Sequence, residues 1–471
     1  MNTTERIEYF RKEPKIYPKR VWGRYRIIKW IVMVVTLGIY YLAPFLRWDR
    51  GENAPDQAIL IDMSNRRGYF FGIEIWPQEV YYLTGVLVLA AVGLFFITAV
   101  AGRVWCGYLC FQTVWTDLFV WVERIVQGDR NARKKLDESP WTFDKIRKKT
   151  ITHAIWIVIG LCTGGAWVLY FNDAPSLMED IVHFHVSRPV LGWIIALTGT
   201  TYVMAGFARQ QVCKYMCPYA RFQSAMFDRD TLIIGYDEKR GEPRGKLKEK
   251  EGHGQGDCID CSLCVQVCPV GIDIRQGLQY ECIACGLCVD GCNGVMDKIG
   301  RPRGLIRYDT TTAQEARESG RKETPFWDQV ARPRTLYYAA ILSGVGGFMI
   351  YSLCTRSPLE VHALHDRNPL FVKLSDGSIR NGYDIRILNK TRDDRTYRLT
   401  IIGMKVGAIT VKNPTMFHPN DIPVFADSVG HFRVFVTAPA QDEPRKDIEF
   451  MLIDNETDKQ DEAESVFISG K

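Results

Sequence analysis

Residues 258 to 269 of this chain read Cys258-Ile-Asp-Cys261-Ser-Leu-Cys264-Val-Gln-Val-Cys268-Pro269. A second copy follows as Cys282-Ile-Ala-Cys285-Gly-Leu-Cys288-Val-Asp-Gly-Cys292. This doubled spacing is typical of ferredoxin modules, in which three closely spaced thiolates hold one [4Fe–4S] cluster and the fourth ligand comes from the other copy. The spacing therefore predicts two clusters, one held by Cys258, Cys261, Cys264 and Cys292 and the other held by Cys282, Cys285, Cys288 and Cys268.

Long apolar runs lie on both sides of this cysteine segment and alternate with charged stretches. The chain has 471 residues, of which 46% are hydrophobic and 24% are charged. Five runs approach the roughly 20 apolar residues that a helix needs to cross a bilayer. They cover Ile27–Leu46, Val80–Ala101, Ile151–Phe171, Pro189–Ala208 and Leu336–Cys354. These runs predict a transmembrane helical bundle of about five spans, and buried core helices are the weaker alternative.

A further apolar stretch, Val104–Val122, is interrupted by Asp117 and by two cysteines. We interpret it as a helix lying along the membrane and not as a sixth span, because a charged residue in the middle of a span is costly.

Lysine and arginine residues are distributed unevenly between the predicted spans. Eight of them lie in Met1–Arg26 and ten lie between residues 103 and 149, against one in Asn172–Arg188. Since loops rich in these residues stay in the cytoplasm, the N-terminus, the second loop and the long fourth segment are predicted to be cytoplasmic. The charged N-terminus has no apolar core, so no cleavable secretory signal is expected.

The spans and this orientation together predict five parts of the chain. These are a basic cytoplasmic N-terminus (1–26), a four-span membrane domain (27–208), a cytoplasmic segment (209–335), a fifth span (336–354) and a tail on the periplasmic side (355–471). An α+β ferredoxin-like module occupies about residues 250–300 of the cytoplasmic segment. A disulfide framework is disfavoured there because the cytoplasm is reducing, and the crossing fourth cysteine argues against two zinc sites.

Two further pairs of cysteines lie at the ends of predicted spans. Cys106 and Cys110 follow the second span, and Cys213 and Cys217 follow the fourth. In a helix, a spacing of four places both sulfurs of a pair on one face. Four neighbouring thiols could bind a soft ion such as Cu(I) or cycle between dithiol and disulfide, whereas isolated cysteines usually pack as small apolar groups. The paired positions favour a functional role for these four, and packing is the expected role of the lone cysteines Cys162 and Cys354.

The tail after Cys354 changes character and contains no cysteine. Apolar residues alternate in short segments, as in Tyr383, Ile385 and Ile387, and turn signals such as Asn381-Gly382 separate the segments. This pattern predicts a C-terminal all-β, immunoglobulin-like sandwich without a cluster. The chain also lacks a dinucleotide-binding or phosphate-binding glycine motif, and nothing in its net charge of +6 indicates a nucleic-acid partner.

In these motifs the chain resembles cytochrome c oxidase accessory proteins of the FixG, RdxA or CcoG type. The similarity extends over nearly the whole chain. It lies in the segments Gly102-Arg103-Val104-Trp105-Cys106-Gly107-Tyr108, Gln112-Thr113-Val114-Trp115, Cys217-Pro218-Tyr219-Ala220-Arg221-Phe222-Gln223-Ser224-Ala225-Met226 and Asp366-Arg367-Asn368-Pro369-Leu370-Phe371, together with the doubled ferredoxin motif. The two boundary pairs and the Asp-Arg-Asn-Pro run make the resemblance specific, because many unrelated proteins share the ferredoxin motif.

The resemblance implies a role in assembling cbb3-type cytochrome c oxidase in the bacterial inner membrane. It implies a cupric reductase that converts Cu(II) to Cu(I). Our hypothesis from the residues is that the copper binds near Cys106, Cys110, Cys213 and Cys217. The expected partners are the lipid bilayer, the oxidase assembly machinery or copper carriers, and an unidentified electron donor. Two other interpretations are a quinol dehydrogenase subunit that feeds a periplasmic reductase and a non-catalytic assembly scaffold. The sequence also leaves open whether the chain forms a homodimer.

Overall fold

The computed structural model describes residues 15–51, 54–246, 256–322, 330–413, 415–439, 441 and 443–470. Residues 1–14 of the predicted N-terminal part (1–26) therefore lie outside the described residues. Residues 247–255 of the predicted cytoplasmic segment, which include the start of the predicted ferredoxin module, also lie outside them. The chain divides into two compact units, of which the first comprises residues 1–47 and 57–349 and the second comprises residues 48–56 and 350–471.

Most of the first unit is helical because its apolar runs must satisfy their backbone hydrogen bonds internally. Its α-helices are, in chain order, α1 (Arg24–Leu42), α2 (Tyr81–Ala101), α3 (Phe111–Gln127), α4 (Arg130–Glu138), α5 (Phe143–Val168), α6 (Ala174–Val182), α7 (Arg188–Val203), α8 (Arg209–Gln211), α9 (Pro218–Met226), α10 (Glu238–Gly241), α11 (Leu263–Val267), α12 (Leu287–Lys298), α13 (Thr311–Glu318) and, extending into the second unit, α14 (Pro333–Cys354).

Five helical stretches among the described residues are long and apolar enough to cross a membrane. They run over Arg24–Phe45, Pro77–Ala101, Phe143–Val168, Arg188–Met216 and Pro333–Cys354, which agrees with the five predicted runs. Large apolar side chains on these helices are exposed, as expected for surfaces that face lipid. The chain is thus a multi-pass membrane protein.

The stretch interpreted as a helix along the membrane becomes α3, which packs against α1 and α5. Its Asp117 carboxylate binds the Arg26 guanidinium of α1 at 2.7 Å. The indole nitrogen of Trp115 donates to the Thr163 hydroxyl of α5 at 2.9 Å. The ion pair removes the cost that an unpaired buried carboxylate would carry, so this apolar segment can lie against the spanning helices.

A three-stranded antiparallel sheet, which sequence analysis did not anticipate, lies between α1 and α2. It consists of β1 (Ile59–Asp62), β2 (Arg67–Phe70) and β3 (Ile73–Ile75).

The ferredoxin module combines α11 and α12 with an antiparallel pair of strands, β4 (Ile233–Tyr236) and β5 (Ile306–Asp309). Asp290 on α12 ties this module to the membrane helices, because its carboxylate accepts the backbone N–H groups of Tyr25 and Arg26 at 3.2 and 2.8 Å. These are free N–H groups at the start of α1, and an aspartate is a favoured partner for them.

The second unit contains two packed antiparallel sheets, as the alternating pattern predicts. One sheet has the order β11-β10-β13-β8-β6 with β7 beside β8, and the other has the order β12-β9-β14-β15. The strands are β6 (Leu359–His365), β7 (Val372–Lys373), β8 (Ile379–Asn389), β9 (Arg395–Ile402), β10 (Ala408–Asn413), β11 (Thr415–Phe417), β12 (Ile422–Val424), β13 (Ser428–Ala438), β14 (Arg445–Asp454) and β15 (Gln460–Ile468). Inward-facing residues such as Tyr383, Ile385 and Phe450 form its core.

Candidate iron–sulfur and thiol site

The structure gathers the eight ferredoxin cysteines around two cavities. One small cavity is lined by Cys258, Cys261, Cys264 and Cys292. A second small cavity is lined by Cys268, Cys282, Cys285 and Cys288, with Cys264 also on its wall. The remaining wall of each cavity is mainly apolar, so the donor set consists of thiols, which suits iron–sulfur clusters. The structure brings together the same two sets that the spacing predicts, and their role as ligands stays a prediction.

The same backbone conformation shapes both cysteine loops. Asp260 and Ser262 in the first copy, and Ala284 and Gly286 in the second, all have positive φ angles between 49° and 73°. Left-handed residues turn successive backbone N–H groups toward one side, which makes a concave site for an anionic group. A helix begins directly after each loop, so the third cysteine of each copy lies in the first turn of α11 or α12.

Burial strongly disfavours the charged form of these thiols in the absence of metal. It raises the pKa of Cys282 and of Cys292 to about 12, and it raises the pKa of Cys288 well above its usual value. Because iron binds thiolates, loading of the cavities must displace these protons.

The two boundary pairs adopt a shared conformation that differs from the expected α-helical face. Cys106 lies in a π-helical turn, Trp105–Leu109, and Cys213 lies in another, Val212–Met216. The N–H groups of Cys110 and Cys217 close these turns by donating to the carbonyls five residues earlier, at 2.9 and 2.8 Å. The second cysteine of each pair has an extended backbone and precedes α3 or α9. Single π-helical turns are frequent at functional sites.

Contacts between α2, α3 and α9 bring the two pairs into one neighbourhood. The Cys106 thiol donates to the Gln223 side-chain oxygen at 3.2 Å, and the Gln223 amide donates to the Thr98 hydroxyl at 3.2 Å. Burial raises the pKa of the Cys106 thiol, and the nearby Cys110, Cys213 and Cys217 raise it further. Among the described residues, no three His, Cys, Asp or Glu side chains converge closely enough to hold a single metal ion. The four thiols are therefore neighbours without forming a closed cage for one ion.

The first boundary pair lies directly against the loop that carries Cys282 and Cys285. A Cβ atom placed on Gly107 would lie 2.7 Å from the Ile283 carbonyl oxygen and 3.0 Å from the Ala284 carbonyl oxygen. The Tyr108 hydroxyl donates to the Cys285 carbonyl at 3.0 Å. The Cys106 side chain packs in the same apolar cluster as three cysteines of the second cavity, Cys268, Cys285 and Cys288. The second ferredoxin cavity is thus the one that adjoins the boundary thiols.

The sequence did not predict four residues of this site, which are Arg103, Gly107, Tyr108 and Gln223. Each lies in a segment that carried the family resemblance, but only the tertiary structure shows their contacts with the cysteine loops.

Three models of protein families match separate parts of the chain. Residues 208–311 match a "4Fe-4S dicluster domain", and residues 83–128, which include Cys106 and Cys110, match a "4Fe-4S binding domain". Residues 349–470 match a model described as "IG-like fold at C-terminal of FixG". These matches support iron–sulfur clusters in the first unit and an immunoglobulin-like C-terminal domain.

Curated proteins with similar sequences cover nearly the full chain. Protein RdxB of Cereibacter sphaeroides is 50% identical over 95% of this chain and 94% of its own length. Nitrogen fixation protein FixG of Rhizobium meliloti is 48% identical over 91% of this chain and 87% of its own length. Protein RdxA of Cereibacter sphaeroides is 48% identical over 91% of this chain and 90% of its own length.

Proposed function

We propose that this chain, which belongs to the family of FixG, RdxA and RdxB, uses iron–sulfur electron transfer to reduce Cu(II) to Cu(I). The copper would be destined for insertion into a cbb3-type cytochrome c oxidase. Clusters bound in the two ferredoxin cavities would supply one-electron chemistry. Reduction of Cu(II) to Cu(I) consumes one electron and breaks no bond, so the copper ion is the substrate and the reduced protein is the electron donor.

One contact carries the proposal. The π-helical turn with Cys106 rests on the loop between Cys282 and Cys285 so closely that Gly107 has no room for a side chain. The turn that carries Cys106 is thus in van der Waals contact with the loop that frames the second ferredoxin cavity. Thiolates favour Cu(I) over harder ions, so electrons leaving this cavity would meet a site that stabilises the product.

The boundary thiols would hold Cu(I) in small ligand sets. Because no three of the described candidate ligands converge, we propose that pairs drawn from Cys106, Cys110, Cys213 and Cys217 bind the ion. Burial raises the pKa of the Cys106 thiol to about 12. Binding of Cu(I) would therefore release protons from thiols that are neutral in the metal-free protein.

The test is stoichiometric reduction of Cu(II) by the purified, detergent-solubilised protein. The clusters are reduced chemically, excess reductant is removed, Cu(II) is added, and Cu(I) is followed with a chromogenic chelator while the visible absorbance reports cluster oxidation. Wild-type protein should form Cu(I) in step with cluster oxidation. The double variants Cys106→Ala/Cys110→Ala and Cys213→Ala/Cys217→Ala should lose this reaction while retaining iron.

Cys162→Ala/Cys354→Ala is the matched control, because both side chains are exposed on spanning helices away from the described contacts. If Cu(II) leaves the clusters reduced, or if the boundary variants reduce copper like wild type, the copper proposal is wrong.

A second candidate function is oxidation of a membrane quinol, and one cavity favours it. A cavity of about 480 Å³ lies between α1, α3, α5 and α7, with Tyr40, Phe111, Trp115 and Trp167 on its walls. Apolar cavities of this kind between helices bind hydrophobic cofactors, and Phe111 directly follows Cys110. Incubating oxidised protein with a short-chain quinol in the absence of copper tests this candidate. Bleaching of the clusters supports it, and an unchanged spectrum argues against it.

The orientation in the membrane is also part of the proposal. The distribution of Lys and Arg supports a cytoplasmic ferredoxin module and a periplasmic C-terminal domain in the bacterial inner membrane. The oxidase assembly machinery or a copper carrier would then collect Cu(I) from the boundary thiols.

A further inference from the structure

Arg103 is a buried cation that lies where the first boundary pair meets the ferredoxin module. Only 4% of the surface of this residue is exposed to solvent. The other buried arginines described in the first unit, Arg26, Arg133 and Arg209, each bind a carboxylate at 2.7 to 2.9 Å. Within the described part of the chain, no carboxylate lies within salt-bridge distance of Arg103, whose recorded partners are all backbone carbonyls.

Those carbonyls belong to the segments that frame the metal sites. The guanidinium donates to the carbonyl oxygens of Tyr280 and Ala220, and it lies 3.4 Å from the carbonyl oxygen of Cys282. Arg103 therefore joins the turn that precedes Cys106 to the cluster loop and to α9. Carbonyl dipoles orient a guanidinium but supply no net negative charge, so a buried cation held only by carbonyls is costly unless an anion compensates it.

The neighbours that can become anionic are thiols. Arg103 lies three residues before Cys106, and its guanidinium contacts the Cys282 carbonyl. Burial raises the pKa of Cys106 and of Cys282, and the positive charge of Arg103 opposes that rise at both thiols. A Cu(I) ion held by two thiolates carries a net charge of minus one, and a cluster held by four thiolates becomes more negative when it accepts an electron. Both changes place new negative charge around the same guanidinium.

We propose that Arg103 is the counter-charge shared by the boundary thiols and the neighbouring ferredoxin cavity, and that it stabilises the reduced state at both. It acts as a positioning residue, because it contacts the loops that carry the ligands and not the substrate itself. The part that concerns Cu(I) rests on the proposed function, whereas the part that concerns the cluster does not.

The experiment compares Arg103→Gln, which removes the charge, with Arg103→Lys, which keeps it but cannot reproduce the forked hydrogen bonds. Arg303→Gln is the charge-matched control, since Arg303 is exposed on the ferredoxin module and pairs with Asp297 at 2.7 Å. Full-length protein in detergent is titrated potentiometrically with electron paramagnetic resonance detection. Its affinity for Cu(I) is measured separately by competition with a chelator.

We expect Arg103→Gln to shift the midpoint potential of one of the two clusters to a more negative value and to leave the other unchanged. We also expect its affinity for Cu(I) to fall by about tenfold or more, as loss of a unit charge at short range in a partly buried site predicts. Arg103→Lys should retain most of both properties, and Arg303→Gln should match wild type.

The outcomes separate the two proposals. If wild-type protein binds no Cu(I), the proposed function fails, and the cluster potentials alone then decide the role of Arg103. Wild-type potentials and wild-type Cu(I) affinity in Arg103→Gln would overturn the counter-charge, as would equal losses in Arg103→Gln and Arg103→Lys. If Arg103→Gln does not retain iron, the cluster potentials of Arg103→Lys decide the role of Arg103. Wild-type potentials in Arg103→Lys support the inference, and a shifted potential overturns it.

Discussion

Replacement of Gly107 by alanine probes the contact on which the proposed function depends. Gly107 lies in a π-helical turn and is not among the residues with positive φ, so alanine fits its backbone conformation. The added Cβ would approach the carbonyl oxygens of Ile283 and Ala284 to 2.7 and 3.0 Å and the Cα of Cys285 to 3.1 Å. Ordinary contacts between such atoms begin at about 3.5 Å, so the two backbones must separate by roughly 0.5–1 Å.

Overpacking of this kind costs about 1–3 kcal/mol, and the separation also strains the hydrogen bond from Tyr108 to Cys285. Displacements of about 1 Å near a reaction centre can reduce rates by up to about a hundredfold. We therefore expect Gly107→Ala to retain both clusters, to unfold at a lower temperature and to reduce Cu(II) at least about tenfold more slowly. The assays are thermal unfolding, iron content and stopped-flow measurement of Cu(I) formation.

Gly294→Ala is the matched control, because a Cβ at Gly294 on α12 meets no atom within 4 Å. It should retain wild-type rates. Wild-type unfolding temperature and wild-type Cu(II) reduction in Gly107→Ala would refute the inferred approach of the two loops.

Three further predictions concern the ferredoxin module and its anchoring. Cys285→Ser should remove the cluster of the second cavity and leave that of the first, so iron content should fall from about eight to about four atoms per chain and one set of resonance signals should disappear. Asp290→Ala should leave two backbone N–H groups at the start of α1 without their acceptor and lower the free energy of unfolding by about 1–2 kcal/mol. Faster amide exchange at that helix start would show the loss, and unchanged exchange would contradict the anchoring role of Asp290. Although burial opposes it, hydrogen bonds from Lys149, Lys15 and Tyr17 hold the pKa of Asp137 well below its usual range. The resulting stabilisation should be complete above the unfolded pKa of about 3.9 and be lost as the pH falls from there through the folded pKa. The protection factors of the amides after residue 15, which correct for the intrinsic slowing of exchange in acid, should therefore fall over this range in wild type, and Asp137→Asn should remove that pH dependence.

The membrane helices and the C-terminal sandwich could be predicted well because their signals are local. A run of apolar residues that is long enough to cross a bilayer can satisfy its backbone only as a helix, and alternating residues such as Tyr383 and Ile385 can bury one face only in a sheet. The two sets of ferredoxin cysteines were also predicted from spacing, because a short loop can bring three thiols together in few ways.

The sequence predicted that the two boundary cysteine pairs have a functional role, but it did not predict their backbone conformation. A spacing of four suggests one face of an α-helix, whereas the structure has a π-helical turn at each pair. The packing of α3 against α1 likewise involves the ion pair between Asp117 and Arg26, which are far apart in the chain.

The amino-acid sequence by itself predicted the spanning helices, the C-terminal strands and the two groups of ferredoxin cysteines, since helix length, strand alternation and thiol spacing are properties of neighbouring residues. Only the tertiary structure decided which ferredoxin cavity adjoins the boundary thiols and which charge lies between them. Gly107 meets Ile283, and Arg103 meets Tyr280, across more than 170 residues of chain. Contacts over such separations follow from the packing of complete helices and loops, and no local pattern encodes them.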